Sequence, residues 1–452
     1  MASTYLTRTP SSNGNRQKWT WSGWTKRSGL LNSGSHYLFA SNDGSNDYSM
    51  IAFASDTLRY YDYTGSSFSS QLVTNRLFRD TNAWYHIVVA YDSTQGTSSN
   101  RIKLYVNGVQ ETSLSTATYP SQNHNSYFNK SGYPNRIGSE SGSGGFYDGS
   151  MSHIHFTDGY VYDATPFGET DTTTGEWKIK TTVTGVTYGT NGYYILKDGN
   201  SVTDQSGQSN NLTVGGGTLT KTEDNPSNVF ATLNPLAIFG GNSSPVLANG
   251  NTTLDTNASD GAKGLFLSSL GMTQGSGKFY CEIKVVTSER FSGGVCNKNV
   301  FLSSSSPDSQ TNQSAITYYY GGSIYYDNNG TVSGGVSLAN GDILGIALDM
   351  DNNRLFFHKN GTYINSGDPT TSTGNVLTFT NASQYLTDHE EMFFFVSDTS
   401  TSGSAKSSVN FGNGYFGTTA VSSAGTNASG NGIFEYDVPT GYTALSTKGL
   451  NL

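Results

Sequence analysis

Two cysteines in 452 residues leave no room for a disulfide framework. Cys281 and Cys296 stand in strand-like surroundings, GKFYCEIKV and FSGGVCNK. One bridge or two buried, reduced thiols would each fit, and the reduced pair is preferred. Charge is also scarce. Asp, Glu, Lys and Arg make up 13% of the chain, against roughly 25% in an average globular protein. The net charge is −9 with no basic block, which removes the electrostatic footprint that nucleic-acid binding needs. No apolar run approaches the ~18 residues of a membrane-spanning helix. The opening MASTYLTRTP has no apolar h-region, so neither membrane insertion nor a secretory leader is expected. No stretch keeps a 3.6-residue apolar period for a useful length, so helix should be scarce.

What is abundant points one way. Glycine (54 residues), tyrosine (29) and phenylalanine (23) stand out against a background rich in Ser, Thr and Asn. Gly, Asn and Ser serve turns, and Thr, Tyr and Phe fit a pleated, half-buried surface. So many aromatics with so little charge separate the chain from disordered sequences. The length suits two β-domains with a connector better than a single core.

In the first part of the chain, WYHIVVAYD (Trp84 to Asp92) is apolar on both faces, as a central strand would be. RIKLYV alternates strictly and ends at Asn107-Gly108, a strong hairpin signal. MSHIHF (Met151 to Phe156) also alternates, but Met151 and Ile154 are out of phase and its buried face is ambiguous. Later, KFYCEIKVV alternates, DILGIALD and RLFFH form a hairpin around Met350 to Asn353, and EMFFFVSD is a further apolar run. Between Ala164 and Gly240 the pattern weakens into Thr- and Gly-rich text. The expected organisation is all-β. A sandwich over 1–163 and a second over 241–420 are joined by a connector with short strands over 164–240. A tail over 421–452 packs back onto a domain.

Two resemblances follow from these strands. WTWSGWTKRS, AWYHIVVAYD, RIKLYVNGVQ and FYDGSMSHIHFTDG resemble the laminin-G/concanavalin-A-like lectin sandwich. GKFYCEIKV, GDILGIALDMDNNRLFFHKNG and FFFVSDTSTSGSAKSSVNFG resemble the SPRY domain, with Cys281 where that family often carries Trp. Both imply jelly-roll-like sandwiches. The order of the parts, with the tail VPTGYTALSTKGL, also resembles structural proteins of marine bacteriophages.

No catalytic constellation is apparent. Glycosidases of the lectin-like fold set carboxylates on one strand face. The nearest match, Glu169-Thr170-Asp171, lacks a second Glu and reads as a solvated turn. No nucleophile elbow or phosphate-binding glycine loop occurs in the right context. His153 and His155 are placed to share a strand face, and His86 reads as a structural core histidine. The lectin resemblance implies Ca²⁺ as a candidate ligand, with Asp43, Asp47 and Asp148 as its loop aspartates. Sugar binding asks for aromatic faces beside amides and hydroxyls. Two clusters fit: Asn123, His124, Asn125, Tyr127 and Tyr133, and Tyr318, Tyr319, Tyr320, Tyr325, Tyr326 and Asn328.

The expected function is that of a non-enzymatic phage virion protein, assembled in the bacterial host cytoplasm. It would be a surface-exposed fibre, tail or head-decoration component that binds a host-surface glycan. A purely structural cement between virion proteins is the alternative, and a polysaccharide depolymerase is less favoured. Other virion proteins are the expected partners, and the resemblance implies a homo-oligomer, although no heptad repeat supports a coiled-coil shaft.

Overall fold

The computed structural model describes residues 3–30, 34–44, 46–197, 201–239, 246–255, 264–288, 291–298, 300, 314–326, 330–379, 391–398 and 406–451. The chain is all-β and divides into two compact units, Met1–Lys221 and Thr222–Leu452. Helix among the described residues is confined to three-residue turns such as Ser98–Asn100.

The first unit packs an eight-stranded sheet on a six-stranded one. The larger sheet runs, edge to edge, Leu114–Thr118, Ser67–Leu77, Thr57–Thr64, Tyr48–Ala54, Ser35–Asn42, Asn135–Ile137, Tyr5–Arg8 and Thr213–Gly216. The smaller runs Tyr193–Ile195, Gly149–Asp158, Lys18–Arg27, Trp84–Asp92, Ile102–Val106 and Val109–Gln110. Alternate residues of the two sheets meet in one core, with Trp19, Trp21, Phe39, Ile51, Phe53, Tyr60, Ile87, Val89 and Tyr91 all buried. Each such side chain contributes about 1.5–3 kcal/mol, and the aromatic pairs add geometry. Trp19 stacks on Tyr91 at 4.9 Å and meets Phe128 edge-on at 5.0 Å.

The strand Trp84–Asp92 is buried on both faces, as its sequence requires. Ile87, Val89 and Tyr91 face the core, while Val88 packs outward against Ala164 and Phe167. Asn107 and Gly108 take φ of 46° and 81° and turn the expected hairpin into Val109–Gln110. The phase puzzle in MSHIHF resolves as a β-bulge. Pairing with Lys18–Arg27 shifts between Ser152 and His155, and His153 has φ of 50°. The extra residue lets Met151, Ile154 and Phe156 all reach the core.

Residues 164–240, expected as a connector, are shared between the two units. The hairpin Gly168–Thr170/Trp177–Ile179 lies on the outer face of the six-stranded sheet, where Phe167 and Trp177 cover Val88. Tyr193–Ile195 and Thr213–Gly216 supply an edge strand to each sheet. Residues from Thr222 onward belong to the second unit.

The second unit is another two-sheet sandwich. One sheet runs Leu233–Phe239, Gly264–Ser268, Met392–Asp398, Phe291–Asn297, Ala315–Tyr319, Ile324–Tyr326 and Gly330–Val332. The other centres on Lys278–Thr287, Ile343–Asp349 and Arg354–Lys359. From Lys278–Thr287, the residues Phe279, Cys281, Ile283 and Val285 enter the core. Tyr280, on the opposite face, joins a smaller cluster in which Phe230, Phe434, Val438 and Tyr442 cover the sheet. Thr443–Ala444 then pairs in parallel with Phe279 and Tyr280. Asp349 turns the Ile343–Asp349 hairpin by accepting the N–H groups of Asp351 and Asn352, at 3.0 and 2.9 Å. The two cysteines are free and buried in separate clusters, and burial pushes both thiols up.

Candidate functional site

The loop of the first aromatic cluster is held by the fold at nearly every polar group. Ser126 accepts the Trp19 indole N–H at 2.9 Å, and the Ser126 carbonyl accepts the Arg16 guanidinium at 2.7 Å. The His124 carbonyl accepts the Ser93 hydroxyl at 2.7 Å. Its ring nitrogen Nε2 lies 3.5 Å from Asp62, a fully buried carboxylate that also accepts the hydroxyls of Tyr60, Ser70 and Ser49. Tyr127 is only 7% exposed. Its ring stacks on Tyr133 at 5.7 Å, and Lys130 Nζ sits 3.7 Å above Tyr133. These rings are occupied by each other and by a cation, so neither offers an open face. Asn123, in the left-handed region at φ 61°, and Asn125 are exposed at the rim.

Strand alternation splits the second cluster. Tyr318 is fully buried against Phe357, with its hydroxyl donating to the Val336 carbonyl at 2.6 Å and accepting the Val336 N–H at 2.9 Å. It is a core residue, not a ligand contact. Tyr320 and Tyr326 pack against the same core, half-buried. Tyr319 and Tyr325 are half-buried as well, one residue out of phase with the inward-facing Tyr318 and Ile324. Asn328 lies outside the described residues.

The three aspartates expected for Ca²⁺ do not converge. Asp43 and Asp47 flank the turn beyond Asn42, at one end of the strand Ser35–Asn42. Asp148 lies near the other end, its carbonyl accepting the Ser28 N–H at 3.0 Å, and burial raises its carboxyl. Eight extended residues, at ~3.3 Å each, separate the two ends. Among the described residues, no group of three or more His, Cys, Asp or Glu is placed to hold a metal. His153 and His155 both flank Tyr194, with ring centroids at 6.0 and 3.9 Å, and His155 Nδ1 is taken by the Tyr188 hydroxyl at 2.8 Å. Asp171 accepts two turn N–H groups and Lys178 Nζ, in an exposed hairpin turn.

One pair has the look of a nucleophile and base. Ser22 Oγ lies 2.9 Å from His86 Nε2, both buried. Trp177 Nε1 donates to His86 Nδ1 at 3.1 Å, which puts the imidazole proton on Nε2. The ring therefore donates to Ser22 and cannot take its proton. Burial lowers the His86 pKa to about 3, so the ring stays neutral.

A different aromatic group emerges on the outer face of the eight-stranded sheet. Leu58, Tyr60 and Asp62 of Thr57–Thr64 point inward, so Tyr61 and Tyr63 point outward. Tyr63 stacks on its cross-strand partner Tyr48 at 5.0 Å and meets its other partner, Phe68, edge-on at 5.2 Å. Tyr61 meets Phe68 at 5.5 Å, and its hydroxyl lies 3.2 Å from that of Tyr37. Phe68 is 48% exposed. The signal was present in TLRYYDYT, where alternation sets Tyr61 and Tyr63 opposite Leu58 and Tyr60.

Residues 2–165 match the concanavalin A-like lectin/glucanases superfamily, and residues 278–413 match the SPRY domain. No curated protein matches the chain. Among solved structures, it is similar to the SPRY domain of human HERC1, at 20% identity over 39% of this chain and 96% of that one, with a TM-score of 0.30. It is also similar to the native heptameric SAP-like pentraxin from Limulus polyphemus, at 19% identity over 34% of this chain and 69% of that one, with a TM-score of 0.25. The chain thus carries an N-terminal concanavalin A-like lectin domain and a C-terminal SPRY domain.

Proposed function

We propose that this protein is a non-catalytic binding component on the surface of a bacteriophage particle. Its lectin-like domain would take a host-surface glycan on the outer face of the eight-stranded sheet. The observation that carries the binding reading is the ring cluster of Tyr48, Tyr61, Tyr63 and Phe68. Aromatic faces with hydroxyl handles suit the mixed apolar and polar surface of a sugar. The cluster sits on paired strands, so little entropy is lost when a ligand orders it. The non-catalytic reading draws on the tautomer of His86 and on the exposed positions of Glu169, on a hairpin strand, and Asp171, in its turn. The virion setting draws on the order of domains and tail.

Purified protein applied to immobilised host polysaccharides tests the binding reading. The native chain should be retained, and the double variant Tyr63→Ala/Phe68→Ala should not. Equal retention of both would remove the face from consideration. Proteomics of purified particles tests the setting, and absence of the chain from them would end the virion reading.

A further inference from the structure

Ala40, Met50 and Ala52 lie on the outer face of the eight-stranded sheet, apart from the main core, and are nonetheless fully buried. Three tyrosines cover them. Tyr37 reaches across the strand Tyr48–Ala54, so that its hydroxyl lies 3.2 Å from that of Tyr61. The Tyr61 hydroxyl donates to Met50 Sδ at 3.4 Å, and Tyr48 meets Tyr61 edge-on at 5.9 Å. The remaining neighbour is Glu140, carried over the sheet by a glycine-rich turn in which Gly145 accepts the Tyr37 N–H at 3.2 Å. A Cβ added at Gly145 would enter the Tyr37 ring and lie 3.1 Å from Glu140 Cβ, so Glu140 packs beside that ring.

The Glu140 carboxylate is half-buried and makes no hydrogen bond or ion pair with another described residue. Two arginines stand near and neither neutralises it. Arg136 is spent on backbone, donating to the Asn42 carbonyl at 2.7 Å and to the carbonyl of Glu140 itself at 3.5 Å. Arg59 turns to the Thr57 hydroxyl at 3.4 Å, and its charge acts on Tyr37 and not on Glu140. Burial alone raises the Glu140 carboxyl, where a cation close by would have held it down. Burial also pushes up the hydroxyls of Tyr37, Tyr48 and Tyr61, and the Glu140 charge adds to each. The acid thus faces all three rings.

An unneutralised carboxylate, three aromatic rings and a floor of methionine and alanine define the complement of an organic cation. The faces of the rings carry negative charge density and attract a cation in addition to the carboxylate. A single carboxylate is too little for a hard divalent metal, which takes roughly six or more oxygen ligands. Methyl groups around the charge suit the apolar floor and cost little to desolvate. We propose that Glu140, with Tyr37, Tyr48 and Tyr61, forms a site for a quaternary ammonium group. The site adjoins the ring cluster proposed above for a glycan and shares Tyr48 and Tyr61 with it. It rests on that face being open to ligands and goes beyond it in demanding a positive charge.

The test titrates the full chain with tetramethylammonium chloride and, separately, with tert-butanol, a neutral molecule of similar shape, while NMR follows the methionine methyl groups. Tetramethylammonium should shift the Met50 methyl, and tert-butanol should not. Glu140→Gln should weaken the response by about fivefold or more, as loss of a partly desolvated charge partner requires, and Tyr61→Leu should weaken it too. Unchanged methyl signals away from the site confirm that both variants fold. Glu140→Gln should also keep the retention on uncharged polysaccharide that Tyr63→Ala/Phe68→Ala loses, so this site and the glycan face fail separately. Cosedimentation with phosphatidylcholine vesicles would assign the ammonium group to a lipid headgroup, and binding of the free ion without it to a soluble carrier; either outcome supports the site. Three results would overturn it: no shift at Met50, tert-butanol bound as tightly as the ion, or an affinity indifferent to both variants.

Discussion

His358 Nε2 and the Tyr280 hydroxyl lie 2.7 Å apart beneath the C-terminal segment of the SPRY-containing unit. Gly361 donates its N–H to His358 Nδ1 at 3.0 Å, so the ring proton resides on Nε2. Tyr280 therefore accepts from His358 and donates to Glu282, at 3.0 Å. Glu282, fully buried, also accepts the Glu435 and Tyr436 N–H groups at 2.9 and 2.8 Å. The relay ties residues 435 and 436 to the outer face of the sheet.

Removing the middle of that relay should loosen its end. Tyr280→Phe leaves the His358 N–H unpaired and takes a donor from Glu282, at a cost of about 1–3 kcal/mol. Urea unfolding measures the loss, and hydrogen exchange at Glu435 and Tyr436 should quicken. Unaltered exchange at those two amides would show that the segment is held by its apolar side chains alone.

Gly345 is the cross-strand partner of His358, and a Cβ added there would enter the imidazole ring. Gly345→Ala should therefore destabilise by about 1–3 kcal/mol or more. Thermal melting reads this directly, and a native melting temperature would contradict the packing described.

Stability should fall in mild acid. Burial lowers His86 and His358 to about 3 and His36 to about 4, from an ordinary 6.5. The folded state thus binds fewer protons than the unfolded chain below ~6.5. The contribution of these rings is intact above that pH and is lost progressively down to the folded values. Glu282, pushed up to about 7 by burial, acts in the opposite sense between ~4.5 and 7. Burial also lowers His155 and raises Asp148 and Glu140, so four rings stand against three carboxyls, and calorimetry should show the melting temperature dropping from pH 6.5 to 4. A flat profile would count against the buried neutral imidazoles.

The tautomer of His86 is open to NMR. Long-range ¹H–¹⁵N spectra should show Nε2 protonated and Nδ1 bare. Trp177→Phe should release that preference while keeping much of the ring contact. An Nε2 found bare in the native chain would restore Ser22 as a candidate nucleophile.

Strand positions, the Asn107-Gly108 hairpin and the Asp349 turn were legible because each depends on neighbours within a few residues. The two sandwiches were legible for the same reason. The bulge at His153 was not, since out-of-phase apolar residues show that something shifts without showing where. The aromatic sites were legible only in part. Tyr318 and Tyr127 looked like loop aromatics, and both turned inward because partners distant in sequence, Val336 for the first and Thr64 and Arg16 for the second, take them up. The outward ring cluster was missed because its members come from three strands. Hairpin register, unknown before the fold, brings Tyr48, Tyr63 and Phe68 together.

The pairing of Thr213–Gly216 with Tyr5–Arg8 has a temporal meaning. During synthesis Tyr5–Arg8 waits for this neighbour until more than two hundred residues have followed it. The superfamily match ends at residue 165, and a nascent chain reaching only that residue lacks the cover of Phe167 and Trp177 and both closing edge strands. Until those arrive, two sheet edges stand open to pairing with other chains. Residues beyond the superfamily match are thus the ones that make its sandwich safe to leave alone.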